Sequence, residues 1–349
     1  SPYRGLLLYH GLGSGKTCSS IAIAEGFIHL SSIAFAEGIT TPKKVIIMTP
    51  ASLRANYQQQ LRQCGNELYR KNQFWEFISI KTNPKYLEYL STILKLPQEF
   101  ITKNGGAWFI NVKKEPNYDS LDFEHQKMIN EQIDKMISYK YEFINYNGLR
   151  GTHLTSMSHG GTVNPFSNKV IIIDEAHNFI SRIVNKLRRK TSLSMKLYNY
   201  LMEAENCKII LLTGTPIINY PNEIGVIYNI LCGYINVWNI SVQTTTTKKI
   251  DSDEMKRILN NDIKMVDYIE YNPNSGLLKI TRNPYGYVNV FKDGSYKGMK
   301  AVEKGEAKDD EYVNLLIRTY EENGIRVDES MIDLDLYKER GSINDEGFL

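Results

Sequence analysis

Four short clusters in this sequence could do chemistry. The first is Gly11-Leu12-Gly13-Ser14-Gly15-Lys16-Thr17. Glycines let a backbone curl until several N–H groups point at one phosphate group. A helix opening directly afterwards adds the positive end of its dipole. Lys16 can neutralise charge on a β/γ-phosphate, and the Thr17 hydroxyl can ligate magnesium. The strict phosphate-loop spacing wants glycine five residues before Gly15, and His10 stands there. The bland alternative is a glycine-rich turn joining strand to helix. Gly-Lys-Thr between an apolar run and a helix-like stretch argues against it.

The second cluster is Asp174-Glu175-Ala176-His177, delivered by the apolar run Val170–Ile173. Asp174 can hold Mg²⁺, and Glu175 can orient or deprotonate an attacking water. Neighbours on a strand point to opposite faces, so both carboxylates can serve only where the strand ends and the chain turns. An aspartate that merely caps the next helix is the alternative. The third cluster is Thr213-Gly214-Thr215-Pro216. Its hydroxyls can bond the carboxylates and sense a γ-phosphate; read by itself it is a plain turn. The fourth is Thr49-Pro50-Ala51-Ser52-Leu53-Arg54, a hydroxyl-rich turn opening a helix. It suits a backbone phosphate, or is simply a helix cap.

These clusters need elements that bring them together. Apolar runs at Leu6–Tyr9, Val45–Met48, Tyr141–Tyr146, Val170–Ile173 and Lys208–Leu212 read as buried strands, and helix-like stretches such as Thr17–Leu30 intervene. That alternation predicts a mainly parallel sheet flanked by helices. Each polar cluster directly follows a strand, where open α/β sheets bind ligands. Residues 71–140, with a polar helix over Leu121–Tyr139, read as an insertion, and Gly151–Lys169 as a surface loop. After about Gly233 the pattern changes. Thr244–Thr247 is a low-complexity run. Leu277–Ile280, Tyr287–Phe291 and Tyr296–Val302 read as short strands with turns at Asn274-Ser275-Gly276 and Asp293-Gly294, followed by a charged helical region from Asp309. The expected domains are therefore 1–235 and a small β-rich and helical element, 236–349.

Composition narrows the class. The chain has 349 residues, 42% hydrophobic and 23% charged, ordinary for a folded protein with a sizeable core. No apolar run approaches the ~20 residues that cross a bilayer, so a membrane-spanning chain is not expected. No leader-like segment opens the sequence. Cys18, Cys64, Cys207 and Cys232 are scattered without CxxC spacing, so neither a zinc module nor a disulfide framework is expected, and a reducing compartment is the simplest reading. Residues 1–235 carry 26 basic and 18 acidic side chains, a balance of +8, whereas 236–349 carry 16 and 21, a balance of −5. A polyanion partner for the first part is compatible with this.

The motifs GLGSGKT, TPASLRANY, INYNGL, DEAH and LTGTP, in this order, resemble motifs I, Ia, Ib, II and III of superfamily 2 helicases and translocases. The phrases YRGLLLYHGLGSGKT, DEAHNFISRIVNK, LTGTPIINYPNEIGVIYNILCGYI and ITRNPYGYV resemble more closely the ATPases of nucleocytoplasmic large DNA viruses, the group of the poxvirus early transcription factor small subunit and nucleoside triphosphate phosphohydrolase I. The likeness covers 3–235 well and 236–300 less closely. It implies a RecA-like P-loop NTPase domain that binds ATP and Mg²⁺. Lys16, Asp174 and Glu175 would be catalytic. Gly11, Gly13, Ser14, Gly15, Lys16, Thr17, His177, Thr213 and Thr215 would bind the nucleotide, and Thr17 and Asp174 the magnesium. Thr49, Arg54, Asn145 and Tyr146 would touch nucleic acid, duplex DNA being the implied track. Viral transcription machinery would be the partner, in the virion or host cytoplasm. A basic run at Arg188-Arg189-Lys190 reads as a solvated helix end. Such motors carry a second RecA-like domain with an arginine finger, and no matching run follows residue 236. The chain is therefore expected to be a piece of a longer polypeptide, weakly active by itself. A small-molecule P-loop kinase would not explain DEAH followed by LTGTP. A non-catalytic ATP-binding subunit would not need Lys16, Asp174 and Glu175 intact.

Overall fold

The computed structural model describes residues 3–11, 13–36, 43–244, 250–292, 295–302 and 308–337. The chain divides into two compact units, Gly5–Ile224 and a second made of Ser1–Arg4 with Gly225–Leu349.

The first unit opens with strand β1 (Gly5–Tyr9) and helix α1 (Lys16–Ala36), followed by β2 (Lys44–Met48) and α2 (Arg54–Cys64). The segment expected to be an insertion holds β3 (Trp75–Ser79), α3 (Tyr86–Leu94), α4 (Gln98–Asn104), β4 (Gly106–Ile110) and α5 (Phe123–Lys140). Then come β5 (Tyr141–Ile144), α6 (Gly151–Met157), β6 (Lys169–Ile173), α7 (Ala176–Val184), α8 (Leu193–Met202) and β7 (Lys208–Thr213), and α9 (Glu223–Cys232) carries the chain into the second unit. The stretch expected to be a loop at Gly151–Lys169 therefore begins with two short helical turns, α6 and a 3₁₀ turn at His159–Gly161. Arg188, Arg189 and Lys190 lie exposed on the turns between α7 and α8.

Five strands form a wholly parallel sheet in the order β1-β7-β6-β2-β5. This is the RecA-like α/β arrangement that the motif order implies. Ile46, Ile47, Ile171, Ile172, Ile210 and Leu211 are at most 1% exposed, so both pleat faces of the central strands β2, β6 and β7 are covered. Ile21, Ala24 and Ile28 of α1 and Tyr57 and Leu61 of α2 close one face. That packing sets α1 beside α2 and joins Cys18 to Cys64 in a disulfide, with Cα atoms 5.4 Å apart. This corrects the expectation of no disulfide. The two cysteines are 46 residues apart, and only the packing of the two helices brings them together.

Within the 71–140 segment, β3 and β4 pair as an antiparallel ribbon, and α5 covers it with Ile129, Ile133, Met136 and Ile137. Gln132 is the polar member of that buried stripe. Its Oε1 accepts from the Trp108 backbone N–H at 2.8 Å, and its Nε2 donates to the Trp108 carbonyl at 2.7 Å. The amide thus replaces a missing neighbouring strand.

The second unit adds β8 (Ile235–Thr244), α10 (Ser252–Asp262), β9 (Val266–Asn272), β10 (Leu277–Arg282), β11 (Tyr287–Lys292), β12 (Ser295–Ala301), α11 (Asp309–Glu322) and β13 (Ile325–Tyr337). Strands β13-β8-β10-β9 form an antiparallel sheet, β11 and β12 a separate ribbon. The expected turn at Asn274-Ser275-Gly276 is present, with Gly276 at φ +66°. A Cβ there would lie 2.6 Å from the Val242 carbonyl oxygen, so glycine is required twice over. The expected turn at Asp293-Gly294 and residues 245–247 of the threonine run lie outside the described residues. This unit has its own core around Trp238, Leu259, Leu278, Tyr312 and Leu316. Among the described residues it supplies no strand to the parallel sheet.

Gln132→Ala should destabilise the first unit by about 2–4 kcal/mol, because two Trp108 backbone groups lose their partners and a void is left. Urea unfolding followed by Trp fluorescence checks this; a loss below 0.5 kcal/mol, to order of magnitude, would deny the amide this role.

Candidate functional site

The parallel strands end on one edge of the sheet, and the clusters sit on that edge. β1 is paired with β7 so that Tyr9 lies beside Thr213, while β6 lies between β7 and β2. The loop after β1, the Asp-Glu pair after β6 and the Thr-Gly-Thr turn after β7 are therefore neighbours, although some 200 positions separate the first from the last in sequence, a proximity that only strand order can create.

Gly13 and Gly15 have φ of +75° and +80°, values that residues with a Cβ rarely adopt. An added Cβ at Gly11, Gly13 or Gly15 would meet nothing within 4 Å, so backbone conformation rather than space demands glycine at 13 and 15. The Ser14 hydroxyl donates to the Gly11 carbonyl at 2.8 Å. The Lys16 ammonium donates to the carbonyls of His10 (2.8 Å) and Gly11 (3.0 Å), which lays it across the loop. Gly214 comes close to this lysine: a Cβ there would be 3.7 Å from Nζ and 3.3 Å from the His10 carbonyl oxygen. Thr17 follows in the first turn of α1, half-buried.

Asp174 is only 7% exposed. Its backbone N–H donates to the Met48 carbonyl at 2.8 Å, which ties the strand end to β2. Its carboxylate accepts from the Glu175 N–H (3.0 Å) and the Thr49 hydroxyl (3.4 Å). Burial, then the Glu175 charge, pushes its carboxyl above the usual range; those two hydrogen bonds and the charge of Lys16 oppose the rise. Glu175 is in the left-handed region, φ 47° and ψ 50°. This is the turn that lets two consecutive carboxylates share one edge. His177 Nδ1 lies 2.8 Å from the Thr213 hydroxyl, 3.5 Å from that of Thr215 and 3.4 Å from Glu175 Oε2. The Thr215 N–H donates to the Thr213 hydroxyl at 3.0 Å. His177 thus links the β6 cluster to the β7 cluster.

Thr49 and Tyr146, expected to touch nucleic acid, are 1% and 2% exposed. Both hydroxyls point inward. Tyr146 donates to the backbone carbonyls of Asp174 (3.1 Å) and Glu175 (3.2 Å). Burial and the charges of the two carboxylates raise its phenol well above the usual range, so it keeps the proton it donates. Arg54 is exposed and lies over the Phe143 ring at 5.3 Å. Asn145 is half-buried, its side chain accepting from the Asn147 N–H at 3.1 Å.

Sequence reasoning missed several residues here. Arg182 of α7 donates to the Tyr146 carbonyl (3.0 Å) and to Asn147 Oδ1 (2.8 Å). Buried Glu223 accepts the N–H groups of Ile218 (2.7 Å) and Asn219 (3.3 Å), fixing the loop beyond Thr215. Asn219 in turn donates to Ser181 at 2.6 Å. Ser52, Asn147, Asn178, Arg182, Asn219 and Glu175 line a cavity of about 550 Å³ at the strand ends. Ser52, Asn147 and Glu175 of this lining belong to the motifs themselves, whereas Asn178, Arg182 and Asn219 follow them by a few residues, the only signal the sequence held for these three.

The open loop of N–H groups, the lysine across it and a hard oxygen pair, Thr17 hydroxyl and Asp174 carboxylate, fit a magnesium-bound polyphosphate. Among the described residues no helix is long and apolar enough to cross a membrane.

No protein-family model matches the chain. Its similar proteins are viral helicases. It is 28% identical over 233 residues to a protein of Acanthamoeba polyphaga mimivirus named as an ATP-dependent RNA helicase, covering 66% of this chain and 30% of that protein. It is 26% identical over 272 residues to a termination factor NPH-I homolog of African swine fever virus, covering 76% of this chain and 28% of the relative. A protein of Invertebrate iridescent virus 3 named as a helicase is 26% identical over 234 residues, 66% of this chain and 18% of its own length. The chain thus spans less than a third of the length of each of these curated relatives.

The left-handed turn gives a test that does not involve activity. Glu175→Gly and Glu175→Gln both remove the charge beside Asp174, but only glycine relieves the backbone. The glycine variant should be about 0.5–1 kcal/mol more stable than the glutamine variant, the cost of a left-handed residue less the extra entropy of an unfolded glycine. Thermal and urea unfolding of the two variants side by side measure it; equal stabilities would mean that the turn carries no strain.

Proposed function

We propose that this chain forms the nucleotide-binding RecA-like part of a viral motor that hydrolyses ATP with Mg²⁺ and couples the reaction to movement along, or remodelling of, duplex DNA during viral transcription. The observation that carries it is the bridge formed by His177 between Glu175 and Thr213, beside a lysine that spans a glycine loop. A nucleotide-only enzyme such as a small-molecule kinase has no use for that bridge. The relatives named as helicases and as a termination factor support the coupling to nucleic acid and the transcriptional setting, in the virion or the cytoplasm of an infected cell.

In this reading the N–H groups of Gly13, Ser14 and Gly15, with Lys16, hold the β- and γ-phosphates, while Gly11 shapes the loop. Thr17 and Asp174 hold the metal, which when bound neutralises phosphate charge. Glu175 Oε accepts the proton of the attacking water, and its left-handed turn aims it there. Thr49 keeps the Asp174 carboxylate oriented, and Tyr146 does the same for the backbone of both carboxylates. His177 with Thr213 and Thr215 transmits the state of the phosphates to the loop held by Glu223. Arg54 and Asn145, with Ser52 and Asn147 nearby, meet the nucleic-acid backbone. Residues 1–235 carry these roles, and 236–349 form a family-specific insertion or linker.

Two variants of the full-length protein test this. Lys16→Ala should weaken ATP binding about 10- to 150-fold, the worth of a charge-assisted phosphate contact of roughly 1.5–3 kcal/mol. Unchanged affinity, measured with a fluorescent ATP analogue, would remove the phosphate-loop assignment. Glu175→Gln should bind ATP normally and lose turnover with or without DNA, because an amide accepts no proton. Near wild-type kcat would exclude Glu175 as the base.

A further inference from the structure

A second site lies along α2, away from the carboxylates. It is a groove of about 1120 Å³ between α2, α4 and α5, beside edge strand β5. That exceeds the ~300–1,000 Å³ of small-molecule pockets. Its lining is unusual in composition. Arg54, Arg62, Lys71, Lys103 and Lys135 face Glu131 and Asp134, and the side-chain amides of Gln58, Gln59, Gln63 and Asn104 fill the gaps. Arg62 is paired with Asp134. Among the described residues the other four cations make no ion pair, which leaves four positive charges against Glu131. Two aromatic rings, Phe100 and Phe143, are half-buried in the wall. Arg54 lies over one of them.

A groove with cations outside any ion pair, side-chain amides and half-buried aromatic rings suits a polyanion that carries flat apolar groups. Cations track a phosphate backbone, and rings offer stacking faces that any base can use. A duplex hides its base faces, so it gains nothing from the rings. One end of the groove is set by Arg54, which begins α2 directly after the turn at the end of β2 and follows Leu53 of the strand-end cavity in sequence. The eleven residues of α2, at ~1.5 Å each, make a wall about 16 Å long. At about 3.4 Å per stacked nucleotide that is room for four or five nucleotides.

We propose that the α2–α4–α5 groove binds a single strand of nucleic acid and leads it away from the strand-end site. The proposal rests on the nucleic-acid reading above and adds a binding surface made largely by the 71–140 segment.

The test measures binding by fluorescence anisotropy of the full chain. The probes are a 20-nucleotide oligo-dT, a 20-nucleotide oligo-U and a 20-base-pair duplex, at several KCl concentrations. The variant is Lys103→Glu with Lys135→Glu; both side chains are exposed and unpaired among the described residues. Thermal melting and binding of a fluorescent ATP analogue should match wild type, which establishes that the variant is folded. The variant should bind the single strands at least 10-fold more weakly at low salt. The slope of log affinity against log salt should fall in magnitude by about 1.4, roughly 0.7 for each lost phosphate contact. Wild-type affinity and slope in the variant would overturn the groove while leaving the motor reading intact. A loss confined to the duplex would overturn the single-strand assignment. Wild-type protein that binds none of the three probes would overturn the nucleic-acid reading itself, and the groove with it.

Discussion

Everything at the strand ends depends on one backbone turn. A β-strand sends consecutive side chains to opposite faces, so Asp174 and Glu175 could not both reach one edge if β6 simply continued. The chain solves this at Glu175, which takes φ 47° where glycine would be more comfortable. Such a conformation persists only when its surroundings over-determine it, and they do. The Glu175 N–H is held by the Asp174 carboxylate, its carbonyl by Tyr146, and its carboxylate lies beside His177. Tyr146 is itself pinned from behind by Arg182 through its carbonyl and by the Phe179 ring at 5.6 Å. The turn after β5 therefore works as a brace for the turn after β6.

Electrostatics follow from the same geometry. Asp174 is buried beside another carboxylate, and both facts favour its neutral form. Lys16 and two hydrogen-bond donors resist that tendency. A dication would resolve the conflict better than any of them, since its charge acts on both carboxylates at once. Among the protein's own groups, Lys16 and those two donors are what offset the concentration of charge at the acidic pair.

Much of this was legible in the sequence where the fold relies on buried, uninterrupted apolar runs. The central strands β2, β6 and β7 are such runs, and each ends in the polar cluster that marks it; β1 and β5, at the sheet edges, are partly exposed, and Glu142 interrupts β5. Helix α5 falls where a polar helix was expected over Leu121–Tyr139. The second unit was harder for a physical reason. β9 alternates buried and exposed residues from Val266 to Asn272, and β8 and β13 carry Asn, Asp and Glu between apolar positions. Half-polar strands pair through their backbones, and the sequence encodes only one face of them. The disulfide was invisible because nothing local connects Cys18 with Cys64.

Hydroxyl residues show where reading by type stops. Thr49 and Tyr146 stand in motifs whose turns could meet a phosphate backbone, and a hydroxyl is chemically suitable for that. A hydroxyl is equally suitable for holding a carboxylate or a carbonyl, and the choice is made by which way the turn faces. In the folded chain both side chains are interior, each bonded to the Asp174-Glu175 segment. The outward positions of the same turns are Arg54 and Asn147, and Arg182 bonds both Asn147 and the Tyr146 carbonyl. One guanidinium therefore fastens the surface of the turn to the residue that holds the Asp174-Glu175 backbone. Asn147 is thereby joined to Glu175 through two side chains, Arg182 and Tyr146, outside the parallel sheet.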